Sequence, residues 1–473
     1  HHFRVTTEPE GRPALRICNS IICQQHGSDD LLATLRRTLG DDVRIEATPC
    51  VGRCAGAPVA VFGQKPIERA TPERVQQAVA DGDTGCPPPR DAPDHAAYRA
   101  AGGYRQLAGL TTDAARDALI AAIDAAGLRG LGGAGFPAAR KWRLVRAQPG
   151  PRLLVVNIDE GEPGTFKDRH LLETAPHRCI EGALLAAQAI EAEAVYFYLR
   201  DEYAGCRALL ERELAALQAD PPCPLPALHL RRGAGAYICG EESALIESIE
   251  GKRGLPRLRP PYVAERGLFG RPTLEHNLET LYWVARIADE GPAFFRDAGR
   301  HGRHGLRHYS LSGRVKNPGV HLAPAGITLR ELIDEFGGGM ADGHRLKAFF
   351  PGGAAGGVLP ASLADAPLDF DTLQPHGAFI GSAAVMVLSQ QDSVKAAVLN
   401  ALRFFFAESC GQCTPCRSGT AQAVRLLEAP RPDRALLDEL AQVMADGSIC
   451  GLGQAAPNPW LCLRRHFPEE VDG

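Results

Sequence analysis

Short apolar runs and longer stretches of helical spacing alternate along the chain, and changes in that rhythm divide it into successive regions. Between residues 12 and 80, RPALRIC, VRIEATPC and APVAVFG are compact apolar runs that predict three strands. DDLLATLRRTLG and TPERVQQAVADG repeat apolar residues at three- and four-residue spacing and predict two helices. Thr71 stands where the second helix needs an N-cap, with Glu73 early in it. Residues 81–100 are rich in Pro, Asp and Ala with little apolar pattern, which predicts a linker in which Cys86 has no evident partner.

The pattern resumes over 101–305. LLVVNIDEGEPG predicts a buried strand running into a glycine turn, PHRCIEGALLAAQAI a helix, AEAVYFYLR a strand and YAGCRALLERELAAL another helix. That alternation predicts layered α/β packing. From about 308 to 390, HYSLSGRVKNPGVHLAPAGITLRELIDEFGG shows short strands, a Pro-Gly turn and one helix, as in a compact α+β module. From 391 the spacing is helical, in DSVKAAVLNALRFFFAES and PDRALLDELAQVMADG, and predicts a small bundle. No internal repeat is visible.

Composition narrows the function. A chain of 473 residues with 45% apolar residues can bury two to four cores. A net charge of −4 argues against nucleic acid as the main partner. Arginine outnumbers lysine 45 to 7, but acidic residues are interspersed, so this is not a basic face. No run of eighteen apolar residues predicts a membrane span, and no signal peptide is visible, so a cytoplasmic protein is expected. His1 and His2 read as the remnant of a tag. Fourteen cysteines are too few for a disulfide scaffold, and eight of them fall into two groups of four. That grouping favours metal ligation in a reducing compartment.

The later group is ESCGQCTPCRSG followed by SICGLG. Two residues between successive cysteines let Cys410, Cys413 and Cys416 converge from one loop, with Cys450 as fourth ligand. A [4Fe–4S] cluster fits best, and the same thiolates also suit zinc or plain burial. Pro415 and the neighbouring glycines suit a tight loop whose amides point at sulfur. In the earlier group, Cys18 and Cys23 enclose four residues and Cys50 and Cys54 three. Each pair follows a predicted strand, so both loops fall at one end of a small sheet. Four thiolates on two loops match a [2Fe–2S] site, with buried pairs or a redox disulfide as the alternatives.

Three central segments read as parts of one pocket. In GLGGAGFPAARKW, Gly130, Gly132, Gly133 and Gly135 lack Rossmann spacing, yet they expose amides to a phosphate or ring. Lys141 is placed to meet a phosphate and Phe136 to stack on a ring. In NIDEGEPGTFKDR, Asn157, Asp159, Glu160 and Glu162 cluster at a strand's C-terminal end, where α/β folds place ligands. In GAGAYICGEESALIESIEGKRG, glycine turns carry Tyr237 and lead through Gly240 into a helix starting near Glu241 and Glu242. A hydride donor, a pocket of this kind and iron–sulfur thiols are reconciled by a flavin, which converts paired electrons into single ones.

With PTLEHNLET, these segments resemble the flavin-bearing, NADH-binding subunit of respiratory NADH:quinone oxidoreductase. They are similarly close to the diaphorase subunits of NAD-linked formate dehydrogenases and NAD-reducing hydrogenases, over about residues 105–460. The resemblance implies FMN held by Gly130, Gly132, Lys141, Asn157, Asp159, Glu160, Gly240, Glu241, Glu242, Asn277 and Thr280. It implies NAD(H) stacked between Phe136 and FMN, contacted by Glu162 and Tyr237, with Tyr262 lining the nucleotide site. Leu131 stands where the family has arginine, and His276 where it has the first of two asparagines, in reach of the ribityl chain.

The front segment, with CVGRCAGAP, resembles a thioredoxin-like [2Fe–2S] ferredoxin domain in shortened form. The implied layout is a thioredoxin-like [2Fe–2S] domain over 1–85, a linker over 86–104 and an FMN/NAD-binding α/β domain over 105–307. A ubiquitin-like β-grasp, soluble-ligand-binding module over 308–390 and a helical [4Fe–4S] domain over 391–473 complete it. Fusion of the shortened domain points to a formate dehydrogenase β subunit or a hydrogenase diaphorase subunit rather than to the respiratory enzyme, and the formate dehydrogenase β subunit is the main expectation. It would pair with a molybdenum or tungsten catalytic subunit, and possibly a further small [2Fe–2S] subunit, with hydrogenase or quinone-reductase diaphorase as the alternative. A zinc-stabilised binding subunit is the reading of a different class.

Overall fold

The computed structural model describes residues 13–40 and 43–471. The expected tag remnant at His1 and His2 lies outside the described residues. In the first unit Leu15–Cys18 pairs in parallel with Ile45–Thr48 and antiparallel with Val59–Phe62, which pairs in turn with Lys65–Glu68. The parallel pairing sends both cysteine loops out of the same sheet end. Helix Ser28–Leu39 turns Leu31 and Leu35 inward, and helix Pro72–Ala80 adds Val75 to the same core. The Thr71 hydroxyl accepts from Arg74 N at 3.3 Å, as an N-cap does. The strand Lys65–Glu68 has one apolar side chain buried among four residues, too few to show as a strand pattern.

The second unit is built on four parallel strands in the order Ala227–Arg232, Ala192–Leu199, Arg152–Ile158, Thr273–Asn277. Leu153 to Val156 are buried, which a parallel sheet requires of its central strand. Helices Pro176–Ile190 and Leu278–Glu290 cross closely, because Gly182 lies against the backbone of Leu281 and an added Cβ would collide with its carbonyl oxygen. Gly182→Ala is therefore expected to cost about 1–3 kcal/mol by overpacking. Thermal unfolding should begin several degrees earlier than in the parent, and an unchanged melting curve would contradict this packing.

The segment expected to be a bare linker is docked. Helix His95–Ala100 starts at Asp94, which accepts from Ala97 N at 2.8 Å. Buried His95 donates its backbone N–H to Glu213 at 3.0 Å, and the Tyr104 hydroxyl meets His177 Nδ1 at 2.7 Å. Polar pairs rather than an apolar stripe hold it, so its pattern looks featureless in sequence.

The third unit is a mixed five-stranded sheet in the order Gly319–Pro324, Leu306–Gly313, Ala384–Ser389, Leu346–Phe350, Leu359–Pro360. The fourth is helical, with Val394–Glu408, Thr414–Glu428, Arg434–Gly447 and the short helices Gly451–Ala455, Asn458–His466 and Pro468–Val471. It is an α/β multidomain chain with the expected four architectures. Among the described residues no helix is long and apolar enough to cross a membrane.

Candidate functional site

Asn157 and Asn277 are register partners at the C-terminal ends of adjacent parallel strands. The glycine loop is laid over this edge by its own backbone: Gly130 N donates to Phe136 O at 2.8 Å, and Leu131 N to Thr280 Oγ1 at 2.9 Å. A Cβ at Gly132 would sit 3.0 Å from Asn277 Cβ, and one at Gly135, whose φ is +67°, would press on the Phe370 ring at 2.6 Å. The loop therefore approaches the strand ends as only glycine allows. Gly240 comes equally near, a Cβ there falling 3.1 Å from Asp159 O. Phe136, 39% exposed, and Tyr262, 54% exposed, stand at the rim.

Beneath the loop lies a network of charge. Lys141 Nζ pairs with Glu275 at 2.9 Å and Glu242 at 3.3 Å. Burial works against its charge, but the two carboxylates outweigh it and raise its pKa. Asn157 Nδ2 donates to Gly240 O and to Glu275, both at 2.9 Å. Lys167, 1% exposed, pairs with Asp168 at 2.9 Å and Glu279 at 3.1 Å. Although burial opposes it, Lys167 holds Glu279 down to about 2. Asn277 accepts from Lys167 at 3.2 Å and donates to Asp168 at 2.6 Å. His276 accepts from the Trp142 indole at 2.8 Å on Nε2, so its proton resides on Nδ1. Burial and then Lys141 lower its pKa well below the usual value and keep it neutral.

The acidic strand end splits into two functions. Glu160 faces the start of helix Lys167–Thr174: it accepts from Asp168 N at 2.7 Å, Arg169 N at 3.1 Å and the Tyr203 hydroxyl at 2.8 Å. Glu162 instead accepts from the Tyr237 hydroxyl and from Ala355 N, the latter at 2.7 Å. Burial pushes both carboxyls up to about 7. Asp159 Oδ2 is buried with no hydrogen-bond partner, and burial raises its pKa well above the carboxylate range. An orphaned carboxyl beside the Gly240 backbone suits a polar group of a ligand, such as a flavin supplies. Glu241 caps helix Glu242–Ile249, accepting from Ser243 N and Ala244 N, both at 3.0 Å.

The eight thiols of the two expected sets lie in the first and fourth units. Cys18, Cys23, Cys50 and Cys54 are buried, with Cys50 and Cys54 Sγ 3.4 Å apart. Cys50 has its pKa lowered well below the thiol value by hydrogen bonds from Cys18 and Cys54, and by Gly164 and Gly52 amides. In the fourth unit Cys413 is the N-cap of helix Thr414–Glu428, Cys416 lies in its first turn, and Cys450 is the N-cap of Gly451–Ala455. Burial pushes the Cys450 thiol up to about 11, against the lowering effect of the Leu452 and Gly453 amides it accepts from, and a Cβ on Gly453 would lie 2.8 Å from Cys416 Cβ. Amides aimed at sulfur favour thiolate and cluster charge. Among the described residues no group of three or more His, Cys, Asp or Glu is arranged to hold a metal ion. The cluster assignment thus rests on the gathering of thiols and on kinship with known iron–sulfur proteins.

Tyr237 joins the pocket to the second thiol set: its N–H donates to Glu408 at 2.9 Å and its ring meets Phe404 edge-on at 4.9 Å. Arg253 donates to Cys410 O at 2.9 Å. Sequence reasoning did not single out Lys167, Asp168, Glu275 or Glu279. All four lie inside the quoted segments NIDEGEPGTFKDR and PTLEHNLET, and charged residues flanking a buried strand were the available signal. Arg200, which donates to Cys50 O at 2.9 Å, was missed too, although it closes the quoted strand segment AEAVYFYLR.

A glycine loop laid over acidic strand ends, with two groups of thiols in the first and fourth units, fits a flavin-linked iron–sulfur electron-transfer protein. Family models agree along the chain: a thioredoxin-like [2Fe-2S] ferredoxin over 2–82, a Nuo51 FMN-binding domain over 123–286, an SLBB domain over 309–359 and an NADH-ubiquinone oxidoreductase-F iron-sulfur binding region over 396–473. An NADH-quinone oxidoreductase subunit of Rhizobium meliloti is 40% identical over 80% of this chain and 94% of its own length. The mitochondrial NADH dehydrogenase [ubiquinone] flavoprotein 1 of Dictyostelium discoideum is 41% identical over 76% of this chain and 79% of its own. A crystal structure of an NAD+-reducing [NiFe]-hydrogenase in the H2-reduced state superposes with a TM-score of 0.86 at 33% identity, covering 98% of this chain and 84% of that one. The chain belongs to the family of NADH-quinone oxidoreductase flavoproteins. It is an NAD-dependent oxidoreductase component that takes FMN, NAD(H), a [2Fe–2S] and a [4Fe–4S] cluster.

The formate dehydrogenase expectation is overturned by these relatives. The fused first domain is expected of formate dehydrogenase and hydrogenase subunits alike, and a hydrogenase chain superposes on 98% of this one. Fusion therefore does not identify the remote fuel.

Proposed function

We propose that this chain is the NAD(H)-facing module of a multi-subunit redox enzyme, laid out as in an NAD-reducing hydrogenase. The carrying observation is that the hydrogenase chain superposes on 98% of this chain. The domain boundaries expected from sequence are kept in this reading. The glycine loop, Asn157, Gly240, Asn277 and Thr280 would hold FMN, with Asp159 Oδ2 as an acceptor and His276 as a neutral neighbour. Lys141 would answer the phosphate end while Glu275 and Glu242 keep it charged. Glu160 would act through the helix it caps, and Glu241 through the one it starts. Phe136 and Tyr262 would present aromatic faces to the dinucleotide, and Glu162 with Tyr237 would orient its nicotinamide end.

When bound, FMN accepts a hydride and releases electrons singly, which is the chemistry the pocket needs from it. The side chains exclude water and hold the reactants in register. Cys18, Cys23, Cys50 and Cys54 would carry the smaller cluster, and Cys410, Cys413, Cys416 and Cys450 the larger. The test is anaerobic purification of the tagged chain with its native companions. Co-purifying nickel and hydrogen-dependent reduction of NAD+ are expected. A companion set without nickel that reduces quinone with NADH would assign the chain to the respiratory layout instead.

A further inference from the structure

The first unit is tied to the rest of the molecule through the backbone of its cysteine loops. Asn400 Nδ2 donates to Asn19 O at 2.7 Å, and Arg314 to Gln25 O at 2.9 Å, fixing the loop and helix around Cys23. Arg169 Nε donates to Gly52 O at 3.0 Å, and Arg200 Nη2 to Cys50 O at 2.9 Å. Gly52, at φ +70°, lies so close to the Tyr203 hydroxyl that a Cβ would collide with it.

Of these donors Arg200 differs in place and charge. It leaves the end of strand Ala192–Leu199, is 4% exposed, and grips both sides of the junction. One arm reaches Glu160 O and the other Cys50 O, while Nε and Nη2 pair with Glu202 at 3.1 and 2.9 Å. Its guanidinium lies 5.1 Å from the Tyr203 ring centre, and Cys50, Asp159, Arg200 and Tyr237 line one small cavity between the units. Arginine stays charged at any working pH, so this is a fixed positive charge one peptide from a thiol.

We propose that Arg200 is a positioning residue for the N-terminal cluster: it clamps the Cys50 peptide to the flavin-binding unit and favours the cluster's reduced form with its charge. This rests on the reading that Cys18, Cys23, Cys50 and Cys54 hold that cluster. Reduction adds one negative charge to the cluster, and a neighbouring cation stabilises the product. Glu202 partly offsets that cation, so the two side chains shift the potential in opposite directions.

The test is a redox titration of the assembled protein followed by low-temperature EPR, with iron and flavin content measured alongside. Arg200→Met should make the equilibrium for reducing the [2Fe–2S] cluster about tenfold less favourable, which is about 59 mV for one electron. The [4Fe–4S] signal and flavin content should stay as in the parent. Arg200→Lys keeps the charge and should restore most of the shift, and Glu202→Gln should move the potential upward. Equal potentials in Arg200→Met and the parent would overturn the proposal, as would a lysine variant as low as the methionine one. If Arg200→Met loses its cluster, the lysine and Glu202→Gln potentials decide in the same way. A parent without a [2Fe–2S] signal, or Cys50→Ser retaining it, would strike the cysteine assignment instead.

Discussion

Cys416→Ser is expected to remove about four iron atoms per chain and abolish electron delivery to the companion subunits, while NADH still bleaches the flavin. Cys416 is 4% exposed, in the first turn of its helix, with Ser409 Oγ 3.3 Å from its sulfur. A serine oxygen is a harder ligand and a shorter one, and the packed turn around Gly453 leaves little room to adjust. The pocket is built on other elements and keeps its geometry. Iron analysis with stopped-flow absorbance checks both halves. Unchanged iron in the variant, or loss of flavin bleaching along with the cluster, would contradict the division of labour between pocket and bundle.

Glu162→Gln is expected to weaken NADH binding by about tenfold to a hundredfold with FMN retained, the usual scale for a charged hydrogen bond. The pH dependence separates this role from a structural one. Burial lifts the Glu162 carboxyl to about 7, so its anionic form, and NADH binding with it, should grow as pH rises through 7. Stability should run the other way. The folded protein holds a proton between about 4.5 and 7 that the unfolded chain has released, so this group's contribution is full below 4.5 and is lost as pH rises through 7. Glutamine should flatten the binding profile and remove this group's part of the stability slope. Glu160, also near 7, keeps its own part. A binding profile with the same pH dependence in parent and variant would rule Glu162 out as the titrating acceptor.

The legible parts of this molecule are those whose chemistry is local. Arg152–Ile158 shows itself because both of its faces are buried, leaving an uninterrupted apolar run that ends in Asn157. The thiol sets show themselves because ligand spacing on one loop survives without knowledge of the fold. From the residues alone Glu160 and Glu162 could not be told apart, and only the family resemblance gave them different roles, since two residues' separation on a loop says nothing of which carboxylate turns toward a helix start and which toward Tyr237. The docked segment around His95 escaped because its anchors, Glu213 and His177, are supplied from far along the chain. Arg200 escaped for the same reason, lying 150 positions from Cys50.

The most direct measurement is an anaerobic titration of the purified chain with NADH, followed by visible absorbance and low-temperature EPR on the same samples. Flavin bleaching and two distinct iron–sulfur signals are expected, in protein carrying one FMN and about six iron atoms per chain. Protein that binds zinc in place of iron, or that keeps an oxidised flavin in excess NADH, would contradict this reading of the chain.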